Sequence, residues 1–203
     1  MILPTSYFGN IEYFRCLWKE KEVVIDIHEP YQKQTYRTRC EIIGANGLQT
    51  LSIPVERPNG KESTVKDVLI TYKEDWRKDH LKAIESAYSR APYFIYYFNA
   101  IRDILLNDHQ LLWELNDQLL KYLIDKIGLT VDISYSKQQI PLEKEDFRVD
   151  FSSKKESGFQ THRYIQTFEE RHGFRNNVCI LDLLFNEGPN TISILQESGY
   201  SSS

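Results

Sequence analysis

The chain has 203 residues, with 25 Lys or Arg against 29 Asp or Glu, so its formal net charge is −4. Hydrophobic residues make up 41% and charged residues 27%, which is the composition of an ordinary globular protein. The acidic balance argues against a general nucleic-acid-binding protein, which usually carries a basic surface. No stretch approaches 18 apolar residues, so we expect no membrane span.

The first residues and the cysteines bear on location and cofactors. Residues 1–5 lack the basic region and apolar run of a secretory signal peptide, so we expect a cytoplasmic protein. Cys16, Cys40 and Cys179 are far apart and odd in number, which predicts isolated reduced thiols. The sequence contains no glycine-rich phosphate loop, nucleophile elbow or zinc-protease motif. We therefore expect no cofactor and no metal.

Short strands and one helix are predicted in the first third of the chain. A helix at 11–18 lies between an opening strand and the β-branched run at 23–28, an order that fits a βαβ unit. Asn46-Gly47 between two apolar runs indicates a hairpin. The other predicted strands lie at 39–44, 48–55 and 65–71.

From residue 75 the apolar spacing becomes helical. Helices are predicted at 76–88, 93–106, 110–127 and 179–186, with a strand at 130–134 and an aperiodic polar loop at 135–160. This mixture predicts an α/β or α+β fold: a single layered domain over residues 1–196, with helices packed on a mixed sheet. Residues 197–203 are expected to form a flexible tail.

The first candidate site lies directly after the strand at 23–28. Ligands of open α/β sheets bind beyond the carboxyl ends of strands, so His28 could act as a general base that Glu29 orients. If the following segment is extended, Lys33, Arg37 and Arg39 share one face, which suits a phosphate or carboxylate. The alternative is a solvated strand face beside a loop histidine.

A second candidate lies on the predicted helix at 76–88. Trp76 and His80 are neighbours one turn apart, with Arg77 between them, and could form a ligand wall. The alternative is that Trp76 packs in the core and the residues beside it face solvent. We place Tyr36 in the same predicted pocket.

A third candidate lies near the C-terminus. Asp182 and Asn186 share one stripe of an otherwise apolar helix, and a buried carboxylate must be paired, hydrogen-bonded or functional. His172 lies upstream and is assigned to the same pocket. The alternative is that this stripe faces water or caps another loop.

At these segments the chain resembles the WbqC-like protein family. The resemblance covers residues 3–196, and the motifs follow one another in the order found in the family. The motifs occupy residues 28–39, 44–47, 51–55, 76–77, 80, 87–88, 91–94, 168, 173–174 and 180–186, and the C-terminal group from 168 to 186 matches best.

The resemblance implies a bacterial cytoplasmic protein. Family members are often associated with loci for O-antigen and other surface polysaccharides, and some are described as transferases, including aminoacyl transfer to sugars. It therefore implies group transfer onto a sugar or nucleotide-sugar. In this interpretation His28 is the base, Glu29 orients it, and Lys33, Arg37 and Arg39 hold an anionic group.

Two departures from longer members leave alternatives open. Those members open with a His-Gln-Pro-type motif, whereas residues 3–8 here contain no histidine, and residues 135–160 are shorter and more polar. Either His28 takes the functional place or the activity is altered or lost. The alternative function is a non-catalytic glycan- or partner-binding protein, and fold analogy adds a nucleotidyltransferase-like relative. Convergence of His28, Arg37, His80 and Asp182 on one cleft would favour the enzyme.

Overall fold

The computed structural model describes residues 1–142, 146–151 and 158–200, and it opens with a parallel crossover unit. Strand β1 (Ile2–Pro4) pairs in parallel with β2 (Glu22–Asp26), and helix α1 (Ile11–Lys19) joins them. The Asn10 side chain caps α1 by accepting a hydrogen bond from the Tyr13 backbone N–H at 3.0 Å. The predicted βαβ unit is confirmed.

A third parallel strand completes this sheet. Strand β7 (Asp132–Tyr135) pairs with β2, which makes β2 the central strand in the order β1-β2-β7. Leu3, Val23 and Ile25 are buried on these strands. Because all three strands run in the same direction, their carboxyl ends meet at one edge of the sheet.

The remaining strands form short antiparallel pairs. Strand β3 (Arg39–Gly44) and strand β4 (Gly47–Ser52) form the predicted hairpin, with Gly47 at a φ of 103°. Residues of the predicted strand at 65–71 instead begin as a 3-10 turn over Val65–Asp67, because a Thr64–Asp67 capping box favours a turn there. The other pairs are β5 (Val55–Glu56) with β6 (Leu69–Ile70) and β8 (Phe159–Gln160) with β9 (Gly199–Tyr200).

The helices cover the sheets and complete the predicted mixed fold. Helix α2 (Trp76–Tyr88) packs on β3 and on α3 (Phe94–Leu106), and α3 packs in turn on α4 (Leu112–Ile127) and α7 (Ile180–Glu187). Gly128, at a φ of 79°, ends α4 as predicted. The α/β or α+β class is therefore confirmed. The other helices after α1 are α5 (Phe147–Asp150), α6 (Glu169–His172) and α8 (Thr191–Glu197).

Two expectations about polar segments need correction. Within the predicted loop at 135–160, helix α5 packs on β1, and both Arg148 and Phe151 are buried. Near the C-terminus, Ser198 is buried and β9 pairs with β8. The first part of the predicted flexible tail, up to residue 200, is therefore packed against the rest of the protein. Residues 201–203 of the predicted tail lie outside the described residues. Among the described helices, none combines the length and apolarity needed to cross a membrane.

Candidate functional site

The carboxyl edge of the parallel sheet carries a chain of hydrogen bonds that ends at His28. Asp26 is the last residue of β2, and Ser136 directly follows β7. The Ser136 hydroxyl donates to Asp26 Oδ1 at 2.7 Å and lies 3.1 Å from His28 Nδ1. The parallel pairing of β2 with β7 is what places these residues together. With Arg148, described below, they form the His28 network.

The hydrogen bonds of Ser136 bear on which nitrogen of the His28 ring carries the hydrogen. The Ser136 hydroxyl has one hydrogen, and Asp26 Oδ1 is both the closer acceptor and the charged one. Ser136 Oγ also accepts from the backbone N–H groups of Ile27 at 3.1 Å and His28 at 3.3 Å. Since its own hydrogen goes to Asp26, a hydrogen bond with the imidazole requires Nδ1–H as the donor, and the lone pair then lies on Nε2. Because the His28 side chain is only half-buried, this arrangement is suited to a general base.

Arg148 compensates the charge of Asp26 inside the core. Its guanidinium is fully buried and contacts both Asp26 and Asp146, and it also donates to the carbonyls of Ile140 at 3.1 Å and Pro141 at 3.0 Å. The hydrogen bond to Asp146 raises the pKa of Arg148 above its usual value, so the guanidinium remains charged. Sequence reasoning missed Arg148, Asp26 and Ser136.

Glu29 and Arg37 form a buried ion pair of their own. Arg37 donates to the two carboxylate oxygens of Glu29 at 2.6 Å each, and to the Arg148 carbonyl at 3.1 Å. Burial raises the pKa of Glu29, and the hydrogen bond from Arg37 opposes that shift. Glu29 therefore holds Arg37 and does not orient His28; Ser136 lies beside that ring instead.

The segment after His28 is not extended, which corrects the expected cationic face. Residues 33–38 are turns and bends, and Gln34 adopts a φ of 59°. As a result Lys33 is exposed, Arg37 is fully buried and Arg39 is half-buried. The three cations do not share one face, because the turn points Arg37 inward toward Glu29.

The second candidate lies mostly in the core. Trp76 and His80 are each 5% exposed, so they do not form an open ligand wall. The Tyr7 hydroxyl and His80 Nδ1 are 2.9 Å apart, and burial lowers the pKa of His80 to about 4. The Arg77 guanidinium lies over the Tyr72 ring at 4.6 Å. Tyr36 is buried against Phe151, with ring centroids 5.0 Å apart.

The third candidate centres on a buried carboxyl group. Tyr164 donates to Asp182 Oδ1 at 2.6 Å, and burial raises the pKa of Asp182 to about 6. We call Asp182 with Tyr88 and Tyr164 the Asp182 network. Asn186 donates to the Asp182 backbone carbonyl at 2.7 Å. His172 lies elsewhere, with Nε2 3.1 Å from a carbonyl of the β3–β4 hairpin.

The predicted residues therefore converge only in part. His28 and Arg37 belong to adjoining networks, which Arg148 connects through its side chain and its carbonyl. Among the described residues, His80 and Asp182 share no hydrogen-bond partner with either of them. Of the four residues whose convergence on one cleft would favour an enzyme, only His28 and Arg37 lie close together.

A groove opens beside the His28 segment. Its volume is about 630 Å³, and Lys33 is the one predicted site residue among its lining residues. Sequence reasoning missed Tyr31 and Arg57, although Arg57 precedes a Pro-Asn-Gly turn in a polar loop. The lining residues are Tyr31, Lys33, Val55, Glu56, Arg57, Pro58 and Leu69.

The cysteines and metal ligands can be placed as well. All three cysteines are free thiols, as predicted, but Cys40 and Cys179 are both buried and close together, because burial and then the Cys179 thiol raise the pKa of Cys40. Their separation in sequence hid this contact, which depends on β3 packing against the start of α7. Within residues 1–142, 146–151 and 158–200, no group of three or more His, Cys, Asp or Glu side chains is placed to hold a metal ion.

The model of the WbqC-like protein family matches residues 5–156. The chain belongs to the WbqC-like protein family. The match includes the His28 network, but it ends before residues 168–186, where the closest resemblance was expected. It also begins and ends inside the expected range of 3–196.

One curated relative of this WbqC-like chain is the uncharacterized protein Rv1507c of Mycobacterium tuberculosis. The two are 28% identical over 136 residues, which cover 66% of this chain and 58% of the relative. The chain thus spans little more than half the length of that protein. No solved structure matches it.

Proposed function

We propose that this protein is a group transferase that acts on a sugar or nucleotide-sugar in the cytoplasmic synthesis of bacterial surface polysaccharide or O-antigen. His28 is the general base. The observation that carries the proposal is the chain from Asp26 through Ser136 to His28, which leaves Nε2 with a lone pair at the carboxyl edge of a parallel sheet. The pathway is part of the proposal because the resemblance to the WbqC-like family implies it.

In the proposed reaction, a hydroxyl or amine of the acceptor lies against His28 Nε2. The base removes its proton as the acceptor oxygen or nitrogen forms a bond to the donor's reactive carbon and the bond between that carbon and the leaving group breaks. The imidazolium that results donates from Nδ1 to Ser136, whose hydroxyl points to the Asp26 carboxylate, so the positive charge is stabilised. The proton then passes to the departing group of the donor.

The test compares two histidine variants in a product screen. Purified protein is incubated with nucleotide-sugars and activated acyl or aminoacyl donors, and products are detected by mass spectrometry. We expect His28→Gln to lower the rate by about 100-fold or more, which is the usual contribution of a general base. The matched control is His162→Gln, because His162 is exposed and contacts Glu197 at 3.1 Å.

Equal rates for the wild-type protein and His28→Gln would show that His28 is not the base. Thermal unfolding of both variants checks that they are folded. A loss of rate in His162→Gln equal to that in His28→Gln would mean that any histidine change disturbs the protein, and the assignment would then have no support.

A second candidate is a non-catalytic glycan- or partner-binding role in the same pathway. Ile95 and Tyr96, adjacent on α3, are 69% and 70% exposed, and such apolar surface is available to a partner. Binding of a probe without turnover of any donor, together with loss of partner capture in Ile95→Ser/Tyr96→Ser, would favour this role over the transferase.

A further inference from the structure

We propose that the groove lined by Tyr31, Lys33, Glu56 and Arg57 binds the phosphate and the sugar of a phosphorylated sugar. This inference rests on the proposed function, because it names the substrate class of that site and the place where the substrate is held. It moves the expected anionic subsite away from Arg37, whose guanidinium is committed to Glu29 in the core.

The groove has two cations that are available to an anion. Lys33 is exposed and Arg57 is half-buried, and neither forms a salt bridge within the described part of the chain. Glu56, on the same wall, is paired with Lys73 at 2.8 Å, so its negative charge is compensated. The groove is therefore positive in a protein of net negative charge, and a planar guanidinium beside a lysine suits phosphate.

The remaining lining residues suit the sugar. Burial raises the pKa of Tyr31, opposed by its hydrogen bond with Thr38 and by the charge of Arg57, so the phenol is a neutral donor. Its ring offers an apolar face, and the floor of Val55, Pro58 and Leu69 is also apolar. Glu56 binds Lys73 through Oε1, and its second carboxylate oxygen can accept from a sugar hydroxyl.

Size and position connect the groove to His28. A volume of about 630 Å³ exceeds the needs of phosphate alone and is typical of small-molecule sites. Tyr31 follows His28 by three residues, so their Cα atoms are at most about 11 Å apart. Backbone hydrogen bonds of 3.0 Å, from Val65 to Glu29 and from Tyr31 to Ser63, fix this short segment. The proposal therefore places the phosphate in the groove and the sugar toward His28.

The experiment is a calorimetric titration of the full chain with UDP-glucose, glucose 1-phosphate, inorganic phosphate and glucose. We expect both phosphorylated sugars to bind and glucose to bind far more weakly. In the double variant Lys33→Ala/Arg57→Ala, affinity for them should fall by about tenfold or more, which corresponds to about 1.4 kcal/mol. The control is Lys82→Ala, which removes an exposed lysine from α2, outside the groove.

Three outcomes count against the proposal. Absence of binding by both phosphorylated sugars up to about 10 mM overturns it, as does affinity that the double variant leaves unchanged. Inorganic phosphate binding as tightly as glucose 1-phosphate would overturn the sugar part. Tighter binding of UDP-glucose than of glucose 1-phosphate would identify a nucleotide-sugar as the ligand. Because both groove cations lie at the surface, the double variant is expected to fold, and its melting temperature checks this.

His28→Gln separates this inference from the proposed function. If that variant and the wild-type protein bind glucose 1-phosphate equally, and no transfer is detected with either, the groove is supported as a ligand site and the transferase function is contradicted. If transfer depends on His28 but the double variant leaves KM unchanged, the transferase stands and the groove assignment fails.

Discussion

The His28 network and the Asp182 network both bury a carboxyl group in the core, but they differ in charge and in access. Asp26 is 0% exposed and meets the cation Arg148, and its hydrogen bonds lead to a half-exposed histidine. Asp182 is 1% exposed, and its described neighbours Tyr88 and Tyr164 are neutral phenols that are themselves buried. A network with an outlet can pass a proton to a ligand, whereas a network whose members are all buried has no contact with a ligand.

The largest effect is expected from removing the cation of the His28 network. Arg148→Met leaves Asp26 and Asp146 without their buried partner, and breaking a buried ion pair in this way costs about 3–5 kcal/mol. The free energy of unfolding, measured by urea titration with circular dichroism, should fall by that amount. The Asp182 network has no such cation, so no single charge deletion there should cost as much.

The control for this prediction is Arg102→Met. Arg102 pairs with Asp103 on the surface, where ion pairs contribute less than about 1 kcal/mol. If Arg148→Met costs no more than Arg102→Met, Arg148 is not the charge partner that holds Asp26, and the contrast between the two networks disappears.

The Asp182 network should make the stability of the protein depend on pH. The folded pKa of Asp182 is about 6 against 3.8 for the ordinary carboxyl, so the folded state binds the extra proton. Stability from this group is therefore full below about pH 4 and is lost as pH rises through 6, by about 3 kcal/mol in all. Asp182→Asn should remove this loss, and urea titrations between pH 4 and 7 measure it.

Asp108→Asn is the matched control, because the Asp108 side chain is 95% exposed. Its effect on the free energy of unfolding should stay nearly constant over the same pH range. A constant difference between the wild-type protein and Asp182→Asn would mean that the carboxyl is ionised throughout, and the closed network would then not be neutral.

A related test concerns His80, the buried histidine. Burial lowers the pKa of His80 to about 4, so its stabilising contribution is full above the unfolded value of 6.5 and is lost as pH falls toward 4, by about 3 kcal/mol. This slope is opposite to that of Asp182, so the two contributions largely cancel between pH 4 and 6. His80→Gln should unmask a stability that falls as pH rises, and urea titrations between pH 4 and 7 measure it.

Local signals predicted much of the fold, and the two networks show where such signals stop. The βαβ unit, the Asn46-Gly47 hairpin and the Gly128 helix end follow from short-range residue preferences. Arg148 could not be found this way, because it lies in an aperiodic polar segment and its partner Asp26 is 122 residues away. Strand order, which joins β2 to β7, is what brings them together.

The position of His28 after its strand agrees with the prediction, but the pairing of the side chains around it does not. His28 was placed at the end of its strand because a β-branched run preceded it, and that signal is local. The assumption of an extended segment then put Lys33, Arg37 and Arg39 on one face. The segment instead forms a turn in which Gln34 has a positive φ, so the three side chains point in different directions. Neither periodicity nor residue type predicts such a backbone conformation.

The smallest expected effect on stability tests the direction of the hydrogen-bond chain itself. Ser136→Ala removes one hydroxyl, but Asp26 keeps Arg148 and the His28 backbone N–H, so the free energy of unfolding should fall by only about 1–2 kcal/mol. The informative readout is the nitrogen chemical shifts of the His28 ring. In the wild-type protein Nδ1 should carry the hydrogen, and in Ser136→Ala that preference should disappear, because Ser136 is the group in contact with Nδ1. A wild-type ring protonated at Nε2 would mean that the chain runs from Ser136 toward His28. The half-exposed nitrogen would then be a donor, and His28 would lose its role as base even though every heavy atom stayed in place.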